Sequence, residues 1–316
     1  MINAKINNLE KKLFWSLVFA FFLYFGLSIF ADFHKLLKLI IHFNWWLIFP
    51  LFALAFSNYV LRFFRWQYYL KISKIDLKIK DSLAVFFSGL AMSVSPGKFG
   101  EILKSYFLKK MQNIPYSISA PIVLVERLTD LIAVLVLTSF GIFAFNYGKQ
   151  VFWLVLILIL FILFILSSKK LFLIILKVFS KIRIFQKLSS KIERAYLSAY
   201  NLCKTDKLII GSFIGLVAWF CECLGFYLVF LGLGLNISIW NAIFIYAFST
   251  LAGAVSFLPG GLGVTEASMV GLLVLFLKFS KSTASFATIL IRFTTLWFAV
   301  IIGLMAILLN RKRLKL

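Results

Sequence analysis

Glu126, Arg127 and Asp130 interrupt an otherwise apolar run, VLVERLTDLIA. On a helix Glu126 and Asp130, four apart, share a face, and Arg127 reaches Asp130 three residues on. Two carboxylates and a guanidinium so placed can pass a proton, supply counter-charge, or grip a phosphate through arginine's planar fork of donors. They can equally neutralise one another as an internal ion pair. Arg292 in IRFTTL answers Arg127 in ERLTDL, with Ile291 and Thr295 where the acids stand. Lacking an acid beside it, Arg292 must find Glu101, Glu266, Glu126 or a ligand phosphate.

A second set of residues lies at two helix breaks. SPGKFGE supplies Pro96, Gly97, Lys98, Gly100 and Glu101, and LPGGLGVTE supplies Pro259, Gly260, Gly261, Gly263 and Glu266. Proline and clustered glycines stop a helix and let another group approach the backbone. Backbone groups freed inside a membrane must line protein or a wet cavity. Where each chain restarts as a helix, its free N–H groups favour an anion, of which a lipid phosphate is the obvious one. Glu101 and Glu266 open those restarted helices, either as caps on the free donors or as proton-carrying and counter-charge groups. Lys98 either touches a phosphate or snorkels to the interface. Arg62 and Arg65, beside Trp66 at a helix end, read as interface anchors. SPGKF is not a nucleotide-binding P-loop, since Met92 and Phe99 hold required glycine and hydroxyl positions, and GGLGVTE lacks the last glycine of the dinucleotide fingerprint. Neither His34 and His42 nor Cys203, Cys221 and Cys223 have metal-ligand spacing, so no metal or cofactor is expected.

These residues must be held by membrane elements. Of 316 residues 62% are hydrophobic and only 14% charged, beyond what a soluble domain carries. Six apolar runs reach the roughly 20 residues a crossing needs: about 13–31, 45–64, 117–146, 151–168, 208–235 and 283–309. The first reads as an uncleaved transmembrane helix, being too long for a signal peptide. Two shorter stretches, 82–95 and 242–257, each end at a Pro-Gly break and read as re-entrant hairpins. The fold class expected is an all-α polytopic membrane protein in one domain, 1–316. The formal net charge of +23 points to anionic lipid rather than nucleic acid, because no basic stretch outside the membrane runs is interleaved with aromatics. With both termini cytoplasmic, 26 of the 34 basic residues fall on the inner side, five on the outer and three at depth, which predicts an inner-membrane location.

The chain repeats itself. FSGLAMSVSPGKFGE resembles FSTLAGAVSFLPGGLGVTE, with Pro96, Gly97, Gly100 and Glu101 answering Pro259, Gly260, Gly263 and Glu266. The predicted orientation runs the two copies (about 44–146 and 208–310) in opposite senses, the inverted repeat typical of secondary transporters. Between them the basic segment 167–207 carries Ile184, Leu188, Ile192, Tyr196 and Tyr200 in one helical stripe, with Lys187, Lys191 and Arg194 on other faces. Such a helix lies on an anionic inner leaflet or links the halves in solvent.

At SPGKFGEILKSYFLKK, VERLTDLIA and LPGGLGVTEAS, in that order, the sequence resembles the lysylphosphatidylglycerol synthase transmembrane-region family, also called flippase-like domain proteins. The resemblance covers about 10–310 and implies movement of polar lipids or lipid-linked intermediates between leaflets. The family's fused members join this region to a cytoplasmic synthase domain with no counterpart in the sequence up to Leu316, so aminoacylation is not implied. The expected function is a non-enzymatic lipid translocase with a midplane polar cavity. The alternatives are a non-transporting partner of a separate lipid-modifying enzyme and, behind it, an enzyme acting on lipid phosphates.

Overall fold

The computed structural model describes residues 26, 29, 32–95, 99–145, 149–167 and 183–315, and every regular element among them is a helix. Helix α1 (Phe33–His42) leads through a 3-10 turn into α2 (Ile48–Ile72). A short pair follows, α3 (Ile79–Leu90) and α4 (Leu103–Gln112), the second preceded by a 3-10 turn at Phe99–Ile102. The long α5 (Tyr116–Phe145) and α6 (Lys149–Ser167) complete this half, and α7 (Arg183–Leu202) joins it to the next. The second half runs α8 (Thr205–Gly232), the short pair α9 (Ile239–Val255) and α10 (Val264–Leu275), then α11 (Lys281–Arg292), a π-helical turn (Phe293–Trp297) and α12 (Phe298–Leu309).

Four of these stretches are long and apolar enough to cross a membrane: Trp45–Ile72, Lys149–Leu166, Thr205–Gly232 and Lys281–Leu309. Six were expected. Apart from Gly26 and Ile29, the run 13–31 lies outside the described residues, and α5 is long enough, spanning about 45 Å at 1.5 Å per residue, but carries Glu126, Arg127 and Asp130. Large apolar side chains such as Phe49, Phe64, Ile157 and Phe213 are exposed on the outside of the bundle. A soluble protein would not leave such surface bare. The chain is an all-α polytopic membrane protein.

Local signals stop the helices in the same way in both halves. After α2, Lys74 adopts φ 54° and Ile75 N–H donates to Leu70 O at 3.0 Å; after α8, Gly234 adopts φ 68° and Leu235 N–H donates to Phe230 O at 2.9 Å. After α4, Asn113 at φ 59° lets Ile114 N–H reach Leu108 O, and after α10, Lys278 at φ 57° lets Phe279 N–H reach Leu273 O. These are left-handed caps that satisfy the last carbonyls of a helix. Paired elements are also similar in length: 25 and 28 residues for α2 and α8, 12 and 17 for α3 and α9.

Packing crosses between the halves. Helix α2 lies against α8, where Asn58 Nδ2 donates to Ala218 O at 2.8 Å. Helix α3 of the first half packs on α12 of the second, and α9 of the second packs on α5 of the first. Gly303 in α12 sits against the backbone of Leu90 and Ala91, a contact that any side chain would block. Small residues at such crossings let helices gain dispersion contacts where lipid offers no hydrophobic drive. The residues after α12 return to the first half: Leu314 is fully buried beside the α3–α4 pair, Arg313 Nη1 lies 2.9 Å from Asp81 Oδ1, and Lys315 Nζ donates to Met111 O.

Helix α7 packs against the helices of the first half. Tyr196 is buried, its hydroxyl donating to Leu166 O, and Ser198 Oγ donates to Ile118 O, so α7 braces α5 and α6. Lys191 and Arg194 remain exposed on its outer side. The side chains of Ile184, Lys187 and Leu188 lie outside the described residues.

Candidate functional site

The first half gathers its charges into one buried network. Helix α5 presents Glu126, Arg127 and Asp130, α2 presents Arg62 and Arg65, the turn into α4 presents Glu101, and the start of α4 presents Lys104. Arg127 Nη2 lies 3.1 Å from Glu101 Oε2 and 3.1 Å from Asp130 Oδ2, the latter being the i,i+3 pair expected from the sequence. Arg65 Nη2 donates to Asp130 Oδ1 at 2.6 Å, and Arg62 Nη2 lies 3.3 Å from Glu101 Oε1 and 3.8 Å from Asp130 Oδ2. Lys104 Nζ bonds Glu126 Oε2 at 2.5 Å and approaches Glu101 Oε2 at 3.5 Å. Its ammonium also sits 4.7 Å from the Trp66 ring centroid, a cation–π contact.

Two readings of the sequence are corrected here. Arg62 and Arg65 are not interface anchors: they are 5% and 0% exposed and pair with carboxylates. Lys104, one of the 26 basic residues assigned from the sequence to the inner side, is 1% exposed and paired with Glu126. The reason is length. Helix α2 runs on to Ile72, so both arginines lie two turns inside it and face α5. The available signal was spacing: Arg62 and Arg65 share a helix face, and Lys104 follows Glu101 by three.

The second half repeats the central arginine–glutamate pair. Arg292 Nε donates to Glu266 Oε1 at 2.7 Å, and Arg292 Nη2 donates to Gly260 O at 2.7 Å. Arg127 with Glu101 and Arg292 with Glu266 thus form equivalent pairs, each linking a long helix to the start of a short one. Thr129 and Thr294, each two residues after its arginine, both return their hydroxyls to the carbonyls three and four residues back. Of the partners weighed for Arg292, the structure gives Glu266. Glu266 also caps: its Oε2 accepts from Gly263 N–H at 2.7 Å. Glu101 is the hub of an ion-pair network, and at its turn Gly100 N–H donates to Ser95 Oγ instead.

The two breaks meet. Gly260 N–H points to Ser95 O at 3.5 Å, a Cβ on Gly260 would lie 3.3 Å from Val94, and Val94 packs with Leu262, Leu296 and Val300 in a small cluster of its own. Gly260, Gly261 and Gly263 all take positive φ, the conformation that requires glycine at this turn. Gly261 is buried against Gly253, and Pro259 is partly exposed at the tip. Pro96, Gly97 and Lys98 lie outside the described residues.

Next to this junction lies a polar layer. Tyr59 donates to Thr295 O in the π-helical turn at 2.6 Å, and Tyr246 donates to Glu222 Oε2 at 2.6 Å. Such turns widen a helix and free its carbonyls, and they recur at functional sites. Among the described residues no group of histidine, cysteine and acidic side chains is arranged to hold a metal ion.

With this geometry in hand, comparison with known proteins places the chain. A family model described as the lysylphosphatidylglycerol synthase TM region matches residues 13–303. A UPF0104 membrane protein of Methanocaldococcus jannaschii is 29% identical over 71% of this chain and 95% of its own length. A second from that organism is 24% identical over 94% and 95%, and one of Pyrococcus horikoshii is 27% identical over 79% and 83%. No solved structure matches. The match spans both helix breaks, both arginine–glutamate pairs and the helices that hold them, and the chain belongs to the lysylphosphatidylglycerol synthase transmembrane-region family.

Proposed function

We propose that this chain is a lipid translocase of the inner membrane, carrying a polar, phosphate-bearing lipid or lipid-linked intermediate between leaflets. Family membership supports a membrane lipid-related role. The observation that carries the reading is the meeting of two broken helix pairs, Ser95 against Gly260, beside the arginine–glutamate pairs 127–101 and 292–266. Irregular backbone and buried charge belong together in a membrane where a headgroup must cross. The reciprocal packing of α3 on α12 and α9 on α5 supports an inverted-topology repeat, with the site at its junction. The inward bias of basic residues supports cytoplasmic termini, and exposed Lys191 and Arg194 on α7 suit anionic inner-leaflet lipids. In this reading the protein is a transporter, not an enzyme, and needs no cofactor.

The test is leaflet exchange in vesicles containing the purified chain, with headgroup-labelled phosphatidylglycerol or a polyprenyl-phosphate lipid and a quencher confined to the outside. Exchange should exceed that of protein-free vesicles, and Arg292→Gln should slow it about tenfold, the worth of one charge-assisted hydrogen bond. Failure to accelerate any anionic or polyprenyl-linked lipid would leave the chain a non-transporting partner.

A further inference from the structure

Helix α1 stands where α2 enters the membrane. Phe43 and Asn44 take extended backbone between them, and Asn44 N–H donates to Gly232 O at the end of α8 at 2.9 Å, so α1 and α2 are separate helices. From there the 25 residues of α2 run about 37 Å, slightly more than the hydrocarbon core. That leaves α1 at the membrane boundary opposite Lys71 and Lys74. At 3.6 residues per turn α1 has three sectors. Leu36 and Leu39 turn toward the protein, in line with Phe43, which is buried and packs on Phe286 of α11 with 5.7 Å between ring centroids. His34, Lys35, Lys38 and His42 fill an arc of about 100°, and all four are exposed. Between these sectors lie Phe33, Leu37, Ile40 and Ile41, from 40% to 75% exposed, and Trp46 just beyond them is 79% exposed.

We infer that α1 lies in the membrane interface and gathers anionic phospholipid, with its apolar sector among the acyl chains and Lys35 and Lys38 at the phosphates. Water would leave the apolar sector bare, and hydrocarbon would leave the lysines unsolvated. Only the headgroup boundary suits a helix with both faces. Trp46 agrees, since tryptophan prefers that depth. The charge is one-sided: α1 holds two lysines and no Asp or Glu. Asp32, just before it, meets Lys35 at 3.3 Å, but both side chains are well exposed, where such a pair is weak and a phosphate can compete for the lysine. This surface is separate from that of Lys191 and Arg194 on α7, and its preference for anionic lipid does not depend on translocation.

The full-length chain in vesicles of phosphatidylcholine and phosphatidylglycerol tests both parts. In a background lacking Cys203, Cys221 and Cys223, Phe33→Cys, Leu37→Cys, Lys35→Cys and Lys38→Cys each carry a nitroxide; all four positions are exposed, so the labels leave the fold intact. Labels at 33 and 37 should collide mainly with oxygen, which concentrates in lipid, and labels at 35 and 38 mainly with a water-soluble nickel chelate. Four nickel-accessible labels would put α1 in water, and labels at 33 and 37 reached by neither reagent would mean that protein, such as a second copy of the chain, covers the sector. Either result overturns the inference. For the lipid preference, a bimane fluorophore on Leu37→Cys should be quenched more strongly by chain-brominated phosphatidylglycerol than by phosphatidylcholine with the same chains. Lys38→Gln should cut that preference by up to about fivefold, the worth of one lysine at an anionic surface, while Lys38→Arg, which keeps the charge, should retain it. Equal quenching by the two lipids, or a preference unchanged in Lys38→Gln, overturns the recruitment of anionic lipid by α1.

Discussion

Lys104 and Glu126, each 1% exposed and 2.5 Å apart, show what a buried charge costs when its partner goes. Lys104→Met should destabilise the protein by about 3–5 kcal/mol, because Glu126 would be left buried without its partner, whereas adding Glu126→Met should recover most of the loss. Unfolding in detergent, read for both variants, checks this. Cys203, between α7 and α8, tests burial without charge. Removal from water pushes its thiol up to about 12. Below that pH the folded protein holds it protonated, so iodoacetamide at pH 8 should label it far more slowly than the unfolded chain, measured by intact mass. At this scale the sequence was half legible. Arg127, Asp130, Glu101, Glu266 and Arg292 announced themselves as charges inside apolar runs. Arg62, Arg65 and Lys104 did not, because a charge near the end of an apolar run looks like a loop charge until the helix is seen to continue past it.

Among the elements, the two short helix pairs were the most readable part, since proline and glycine stop a helix whatever surrounds it. Less readable was how they pack, because apolar faces in lipid carry no periodic contrast between core and surface. Helix α5 is the exception, its acids and arginine marking the face that meets α2 and α4. The close crossing of α12 over the end of α3 depends on Gly303, where a methyl group would strike the backbone of Ala91. Gly303→Ala should cost about 1–3 kcal/mol through overpacking. Gly271→Ala, in open space on α10, should be neutral or slightly stabilising because alanine is the better helix former. Thermal unfolding of the two variants side by side distinguishes a packing constraint from a general intolerance of change. The buried Leu314 adds a second tie from the end of the chain to the α3–α4 pair, and the exposed Arg313–Asp81 bridge beside it contributes little by comparison.

At the scale of the molecule, left-handed caps at 74 and 234 and at 113 and 278 and exchanged packing partners tie the two halves into one design. If the halves rock against each other during transport, the hairpin tips must part. Cysteines at Val94 and Leu262, in a background lacking Cys203, Cys221 and Cys223, should therefore arrest leaflet exchange when joined by a short bifunctional reagent, and reduction of a cleavable linker should restore it. Exchange at full rate with the tips joined would rule out this motion. Asn58 and Ala218, which touch where α2 crosses α8, occupy matching positions in the two halves. If the halves rock during transport, that crossing is where they would pivot. A bulkier side chain at Ala218 loads both halves at once, so one substitution there acts like two.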